Sequence, residues 1–554
     1  MSGIPETRQL WITPLSPVHM GTDEDYTPTG YVIDGNVLYE FDQRALENLP
    51  EIERNKLDRL LNGKATSDML KNIQAFFYHN REWLIPSAIN VVHVSDEMAN
   101  LYSARVGNAA NIEADGKQVL NALEIERAYY NPTDRRLMLP GSGLKGAMRT
   151  ALLDAVNDGQ RAERGERNRD LQQRLFQYTM RDLHKDPMRL VQVGDCTWRA
   201  SGELNSAEVL FAVNRKKHPI TKNGKEVSSQ AEQRNLYQLL ECAAPFRFRA
   251  FQGSLNIADF GNAEKMSQQL PRFRFSFGEI ATACNRFYRP IFDREVELLK
   301  KQGFLDGTWR QTVETLLGNA SIRQRLDNND AFLLRVGRHS GAESVTINGA
   351  RSIKIMKGKG QQPDWEREAK TLWLATSDKA DKRYLKPFGW LLVEMTEVDE
   401  TLPPWPEAET LMQQHNEAMS QWLAGVRAKQ SMLAEKAQAS REERAARAAE
   451  AAREAEEAER RKKAEAERLA QLSPLERELD QVVEANRNNN PGAILFNKLT
   501  GGEWPDSDDQ RTVAEKIKIL WEQEGKWIPD FAGKNKQKVK QKARCQKVQE
   551  YLSS

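Results

Sequence analysis

The sequence is poor in the residue patterns that build metal sites and disulfide frameworks. Its 554 residues include four cysteines, at positions 196, 242, 284 and 545, and no two of them form a C-x-x-C pair. Zinc sites and disulfide frameworks use regularly spaced cysteines, so both are disfavoured. The seven histidines are also dispersed, without the H-E-x-x-H spacing of zinc hydrolases. The sequence therefore predicts no metal and no disulfide framework.

Long apolar runs and a dominant charge are absent as well. No apolar run reaches 18 residues and no signal peptide is recognisable, so we expect a cytoplasmic protein without a membrane partner. The 81 basic and 79 acidic residues leave a net charge of +2, which indicates no class of partner by itself. Local charge is more informative, because residues 533–549 hold seven basic residues and no acidic one. Such a segment is typical of nucleic-acid binding or of a soluble helix end.

The most informative stretch is residues 137–153, where a short apolar run meets Pro140 and a glycine-rich turn. Apolar residues then recur at helical spacing: Leu144, Ala147, Met148, Ala151 and Leu152. The pattern predicts a strand, a tight turn and a helix N-terminus whose N–H groups can bind an anion. Lys145 and Arg149 lie beside the apolar stripe, where the helix dipole disfavours cations unless an anion is bound. The alternative is a solvated basic pair after an ordinary turn.

Two nucleotide-binding motifs can be set aside for this stretch. Gly141, Gly143 and Gly146 match the G-x-G-x-x-G string, but residues 157–174 are polar and contain no second strand. A dinucleotide fold needs that strand and an acidic residue about 20 positions further on. No Gly-Lys-Ser/Thr ends the turn, so it is not a Walker A loop either. A nucleotide-binding enzyme is therefore disfavoured.

Two segments predict strands with one basic face. Residues 246–251 and 272–277 alternate aromatic and mostly basic side chains, which is the period of a half-buried strand. The basic faces are either simply solvated or are directed at phosphates, and the pattern does not decide between these readings. If no phosphate binds at the glycine turn, the Arg247/Arg249 and Arg272/Arg274 faces are the alternative path for a phosphate chain.

The composition changes after residue 400. Residues 441–470 hold nine basic residues, nine acidic residues, eleven alanines and a single leucine, which predicts a solvated helix without a coiled-coil seam. Because of this, we expect a chain ending near residue 402 to melt like the whole protein. Ser473-Pro474-Leu475-Glu476 is a capping box that starts a small helical unit. Its core is expected to contain Trp504, Ile517, Leu520, Trp521, Trp527 and Ile528.

Several motifs occur in an order that resembles a known family. They are residues 15–21 (Leu-Ser-Pro-Val-His-Met-Gly), 31–42, 140–150, 186–195, 335–341 and 387–390 (Pro-Phe-Gly-Trp). Together they resemble the RAMP proteins of type III CRISPR systems, and most closely the fifth Csm subunits of type III-A effector (Csm) complexes. The resemblance covers about residues 8–395. Within the motif of residues 335–341, Arg338-His339-Ser340 stands where the family usually has more glycine.

The resemblance implies an α+β fold of two ferredoxin-like, RRM-type domains, which agrees with the strand and helix patterns. We therefore expect a RAMP body at 1–400, divided into about 1–240 and 241–400. A charged helical spacer at 401–472 and a small helical domain with a basic tail at 473–554 would follow.

The implied function is non-catalytic: binding CRISPR RNA near its 3′ end, with a role in complex assembly and guide maturation. Implied partners are the CRISPR RNA, the backbone RAMP and small Csm subunits, and host ribonucleases that trim the guide. No cofactor is implied. The predicted RNA-binding residues are His19, Gly141, Ser142, Gly143, Leu144, Lys145, Gly146, Arg149, Arg335, Gly337, Arg338, His339 and Gly341. The alternative is an endoribonuclease, because related RAMPs cut RNA with a histidine or an aspartate. His19 and Asp34 are its candidates, although no sequence feature pairs them as acid–base catalysis requires.

Overall fold

The computed structural model describes residues 6–63, 67–107, 111–112, 118–119, 123–199, 207–222, 225–229, 232, 236–258, 270–357 and 360–553. The chain divides into two compact units, Met1–Arg441 and Glu442–Ser554. Within the described ranges, no helix combines the length and the apolar character needed to cross a membrane.

The strands are numbered in chain order. They are β1 (Glu6–Pro14), β2 (Gly21–Tyr26), β3 (Tyr31–Asp34), β4 (Val37–Glu40), β5 (Asn90–Val94), β6 (Asn111–Ile112), β7 (Gln118–Val119), β8 (Ile125–Ala128), β9 (Met138–Leu139), β10 (Val191–Val193), β11 (Cys196–Trp198), β12 (Ala207–Lys216), β13 (Ile220–Lys222), β14 (Lys225–Val227), β15 (Tyr237–Ala243), β16 (Phe251–Ile257), β17 (Ala331–Arg335), β18 (Ile353–Ile355), β19 (Asp364–Glu366), β20 (Thr371–Thr376) and β21 (Trp390–Thr396).

The helices are numbered in the same way. They are α1 (Glu51–Leu61), α2 (Ser67–His79), α3 (Arg81–Leu84), α4 (Asp96–Arg105), α5 (Gly141–Asn157), α6 (Asn168–Phe176), α7 (Phe277–Lys301), α8 (Gly307–Gly318), α9 (Ala320–Asp327), α10 (Pro406–Gln471), α11 (Pro474–Ala485), α12 (Pro491–Thr500), α13 (Ser507–Gln523) and α14 (Lys536–Ser553). The mixture of helices and sheets confirms the α+β class, and the ferredoxin-like assignment of its parts stays a prediction.

Two large sheets form the body of the first unit. The first has the order β17-β21-β1-β16-β11-β9, with β10 also paired to β16. The second has the order β2-β8-β15-β12-β5-β4-β3, with β20 also paired to β12. Each sheet combines strands from before and after residue 240: β1 pairs with β16 and β21 in the first sheet, and β12 pairs with β20 in the second. The border expected near residue 240 therefore does not separate the two sheets.

The predicted hairpin and helix starts are confirmed. Asp34 pairs with Val37 across the β3–β4 turn, and Gly35 there has a φ of 60°, which glycine adopts without strain. Helix α5 begins at Gly141 directly after Pro140. Its predicted apolar stripe is buried against α7 and the first sheet.

The prediction of two strands with a basic face is wrong. Residues 245–249 form turns, and residues 272–276 are irregular before α7 begins. Arg247 is buried, and burial lowers the pKa of its guanidinium to about 10, with Glu208 opposing. Arg249 donates to both carboxylate oxygens of Glu394, each at 2.7 Å. These two cations are directed into the protein, so the alternating pattern does not mark a solvated strand face there.

The first unit continues to Arg441, beyond the border expected near residue 400. In α10, the side chains of Val426, Leu433 and Ala437 are buried. Val426 and Leu433 join a core cluster that also contains residues of β3, β4 and α2. Residues 406–441 are therefore a packed element of this unit and not a solvated spacer. Because of this packing, we now expect a chain ending near residue 402 to be less stable than the whole protein, contrary to the expectation from the sequence.

The second unit is a small helical assembly. Ser473 and Glu476 form the predicted capping box at the start of α11. Trp504, Ile517 and Trp521 are buried in one apolar cluster, as predicted, while Leu520, Trp527 and Ile528 are half-buried against it. Cys545 and Val548 of α14 are also buried there, which holds the C-terminal half of α14 on the unit.

Candidate nucleic-acid interface

The N-terminus of α5 is shaped by the close packing of Gly141. A Cβ at this position would lie 2.2 Å from the carbonyl oxygen of Val193, so no larger residue fits without a backbone shift. The Gly141 N–H donates to Asp195 Oδ1 at 2.7 Å. The first N–H of the helix thus already has an anionic partner in the protein, and the prediction that it is free for a ligand is wrong.

The next turn of α5 contacts the loop of residues 15–21, hereafter the His19 loop. A Cβ at Gly143 would lie 2.1 Å from Met20 Cε, which places the helix directly against this loop. Lys145 is half-buried and Gly146 is exposed, with open space where a Cβ would be. Glycine inside a helix costs roughly 0.5–1 kcal/mol relative to alanine. Among the residues that the structure describes, none packs against Gly146 in a way that explains this cost.

The loop of residues 336–341, hereafter the Gly337 loop, also contacts the His19 loop. Gly337 has a φ of 80°, and a Cβ there would lie 2.2 Å from the carbonyl oxygen of His19. The same oxygen accepts a hydrogen bond from the Arg338 N–H at 2.9 Å. Three motifs that are far apart in sequence therefore meet at one place: the start of α5, the His19 loop and the Gly337 loop.

Two partly exposed cations belong to this surface. Arg338 Nη1 lies 2.8 Å from Glu126 Oε2, with almost half of the arginine side chain exposed. Burial lowers the pKa of Lys145, the nearby Arg149 lowers it further, and Asp186 opposes the shift. A phosphate beside Lys145 would favour its charged form.

Both histidines of the predicted site are held by the protein. His19 is buried, and its Nδ1–H donates to the carbonyl oxygen of Glu241 at 2.7 Å. The His339 Nε2–H donates to Gln238 Oε1 at 2.8 Å, and its ring stacks on Trp373 with a centroid distance of 4.7 Å. Burial lowers the pKa of His19, and it lowers the pKa of His339 to about 4. Both rings are therefore neutral at pH 7 and support the loops without adding charge.

The predicted phosphate contact at Arg149 needs correction. Its guanidinium donates to Gln172 at 3.0 Å, to Asp186 at 2.9 Å and to the Tyr178 hydroxyl at 2.9 Å. All three nitrogens are thus used within the protein. Arg149 ties α5 to α6 and to the segment after it.

Arg335 and Gly341 are likewise directed inward. Arg335 is buried, donates to Glu295 Oε1 at 2.8 Å and to the Phe388 carbonyl at 3.0 Å, and lies over the Trp390 ring. A Cβ at Gly341 would lie 3.3 Å from Arg335 Nη1. A buried ion pair of this kind fixes β17 against α7, so these two residues support the Gly337 loop and do not offer a charge to RNA.

The two nuclease candidates are engaged by different groups. Asp34 is bonded to Lys429, and its Oδ1 lies 3.3 Å from Arg81 Nε. These cations lower the pKa of Asp34 against the opposing effect of burial. His19 contacts the Glu241 carbonyl instead. Neither residue is arranged with the other as an acid–base pair.

Several residues of the interface could not be found from the sequence. Asp195, Glu126, Gln238 and Trp373 are distant from the motifs that they support. Asp195 has one usable signal, since it ends the motif of residues 186–195. Within the described part of the chain, no group of three or more His, Cys, Asp or Glu side chains is placed to hold a metal ion.

Comparison with known protein families supports the resemblance over part of the chain. Residues 11–247 match RAMPs, the RAMP superfamily, which confirms the family resemblance for that part of the chain. No curated protein matches the chain.

Two solved structures are similar at low identity. One is a chain of the Csm-crRNA-target RNA ternary complex of a type III-A CRISPR-Cas system, 16% identical, covering 71% of this chain and 100% of that chain, with a TM-score of 0.39. The other is T. onnurineus Csm5, 17% identical, covering 70% of this chain and 99% of that chain, with a TM-score of 0.37. At these TM-scores neither likeness carries an argument about function.

Proposed function

With the RAMP superfamily match over residues 11–247 as the premise, we propose that this chain is a non-catalytic RNA-binding subunit of a type III-A CRISPR effector. The observation that carries the RNA-binding part is the meeting of α5, the His19 loop and the Gly337 loop at one surface. The assignment to a type III-A complex rests on the order of the sequence motifs.

The surface suits a phosphate backbone rather than a specific base. Ser142 and Gly146 are exposed on the first turns of α5, where a backbone can approach closely. Lys145 at the start of α5 and Arg338 in the Gly337 loop supply the charge. Phosphate contacts position a strand without reading its sequence, as expected for a subunit that accepts many guides.

The remaining predicted residues have supporting roles in this proposal. Gly141, Gly143 and Gly337 allow the three segments to pack closely, and the side chain of Leu144 is buried in the core beneath them. The side chains of Arg149, Arg335 and the two histidines fix the segments from within. Direct RNA contact is assigned to Ser142, Lys145, Gly146 and Arg338.

The proposed ligand is CRISPR RNA, bound near its 3′ end. The proposed protein partners are the backbone RAMP and small Csm subunits, with host ribonucleases for guide trimming. Catalysis is not part of the proposal, because His19 and Asp34 are held by separate groups of the protein.

The test is to recover the RNA bound to the tagged chain from cells that carry a type III-A system. The proposal expects sequenced fragments enriched in CRISPR RNA, ending in its 3′ part. Less of this RNA should be recovered with a Lys145→Gln/Arg338→Gln variant at equal protein yield. Recovered RNA without guide sequences would contradict the assignment to a CRISPR effector.

A further inference from the structure

The second unit carries an exposed group of cations without acidic partners. Residues 534–544 contain six basic residues and no acidic one: Lys534, Lys536, Lys538, Lys540, Lys542 and Arg544. Within the described residues, none of the six lies within ion-pair distance of a carboxylate. Elsewhere in this unit cations do pair, as Lys498 does with Glu503 at 2.7 Å and Lys516 with Asp480 at 2.8 Å. On α14 these cations form two rows on different sides of the helix, Lys536/Lys540/Arg544 and Lys538/Lys542, because residues two apart do not face each other. The two rows together are here called the α14 basic face.

The charges of this face repel one another. Lys536 and Lys540, Lys538 and Lys542, and Lys540 and Arg544 are each four residues apart on α14. Like charges at this spacing destabilise a helix by roughly 0.2–0.5 kcal/mol per pair. A polyanion lying along the face would remove this repulsion.

Half-buried aromatic rings lie among these cations. Lys538 Nζ lies 5.6 Å from the centroid of the Phe531 ring, and Lys542 Nζ donates to the Phe531 carbonyl oxygen at 2.9 Å. Arg544 lies over the Phe496 ring at 5.6 Å. Cationic surfaces with accessible aromatic rings are typical of single-stranded nucleic-acid binding, where bases stack on the rings.

A lipid surface fits this face less well. An interfacial helix inserts an apolar face rich in large side chains. The apolar residues Cys545 and Val548 of α14 are instead buried in the core of the unit. The exposed residues of the first turns are lysines and glutamines, apart from Val539.

We infer that the α14 basic face is a second, separate binding surface for single-stranded RNA. It lies outside the RAMP-matching residues and does not use the residues of the proposed interface on the first unit. Its contacts are to phosphates, with base stacking on Phe531 and Phe496, so binding should be strong at low salt and tolerant of sequence.

The test uses the full chain and a labelled oligouridylate, with affinity measured over a range of salt concentrations. The variant is Lys536→Gln/Lys540→Gln/Arg544→Gln, three exposed residues of one row that lie outside the buried core. The matched control, Arg447→Gln/Arg461→Gln/Lys498→Gln, removes three charges of the same unit that are paired with glutamates. Both variants should melt like the wild type.

Each phosphate contact on a single strand contributes about 0.7 to the slope of log affinity against log salt. Loss of three contacts should lower the slope by about 2. Extrapolated from 1 M salt, this corresponds to an affinity loss on the order of 100-fold at about 0.1 M salt. The control should keep the wild-type slope. An α14 variant that binds like its control overturns the inference.

The same α14 substitutions, made in a chain that already lacks the cations of the proposed interface, distinguish the two RNA-binding surfaces. In a Lys145→Gln/Arg338→Gln chain, the α14 substitutions should still reduce the remaining binding. If only the first-unit variant loses RNA, the α14 surface is refuted and the proposed interface stands; if only the α14 variant loses RNA, the reverse holds. A wild-type chain that binds labelled poly-L-glutamate as tightly as oligouridylate at the same salt would identify an acidic protein as the partner and overturn the RNA assignment.

Discussion

Removing residues 403–554 should severely destabilise the first unit, although removing only the residues after 441 should not. A chain ending at Leu402 loses Trp405, Val426 and Leu433, whose side chains are at most 4% exposed. Full burial of one large apolar side chain contributes about 1.5–3 kcal/mol. The three together contribute about 5–9 kcal/mol, which is comparable to the whole net stability of a typical domain.

The comparison should use urea and thermal unfolding of three chains: residues 1–402, 1–441 and 1–554. We expect 1–441 to keep the melting transition of the first unit, and 1–402 to unfold at much lower urea or to be recovered unfolded. Equal midpoints for 1–402 and 1–441 would show that residues 403–441 do not stabilise the first unit.

A point substitution tests the same packing without truncation. Leu433→Ala should cost about 2–5 kcal/mol, because it leaves a cavity in a buried cluster. Its neighbour Met432 is 60% exposed, so Met432→Ala should stay within about 0.5 kcal/mol of the wild type. Equal losses for the two variants would show that this face of α10 does not pack as described.

Three further predictions concern the first unit. Arg149→Ala should lower the free energy of unfolding by about 1.5–3 kcal/mol in urea titrations, because it removes charge-assisted hydrogen bonds to Asp186 and others; an unchanged midpoint would restore Arg149 as a free RNA contact. Burial lowers the pKa of His339 from 6.5 to about 4. As the pH falls, this histidine is protonated in the unfolded chain before it is protonated in the folded one, so stability should fall between about pH 6.5 and about pH 4. His339→Asn, which tolerates the positive φ, should flatten that fall, and an unchanged pH profile would contradict the assignment. The purified chain should leave RNA intact; cutting that disappears in both His19→Ala and Asp34→Ala would establish the nuclease alternative.

The sequence predicted elements well where local pattern decides the structure. The β3–β4 hairpin, the start of α5 and the capping box of α11 follow from turn residues, apolar spacing and caps. The packed part of α10 also had a local signal, because Trp422, Val426, Leu433 and Ala437 recur at helical spacing. This stripe is hidden when residues 401–472 are considered as one segment, because the charged composition of residues 441–470 dominates.

The candidate site was predicted in its parts but not in its internal contacts. The glycine motifs marked the segments that meet, since close approach of backbone leaves no room for a Cβ. Local pattern could not show that Arg149, Arg335 and Arg249 reach buried or half-buried carboxylates, because Asp186, Glu295 and Glu394 come from distant segments. A cation in a motif therefore predicts a phosphate contact only after its acidic neighbours in the fold are known.

The salt dependence of binding shows whether RNA binds where α5, the His19 loop and the Gly337 loop meet. Lys145→Gln/Arg338→Gln should lower the slope of log affinity against log salt by about 1.4 on single-stranded RNA, at 0.7 per phosphate contact. The control, Arg286→Gln/Arg289→Gln, removes two exposed cations of α7 that pair with Asp158 and Asp293 and should leave the slope unchanged. If the Lys145/Arg338 variant keeps both the affinity and the slope of its control, the three loops are a structural junction and RNA does not bind there.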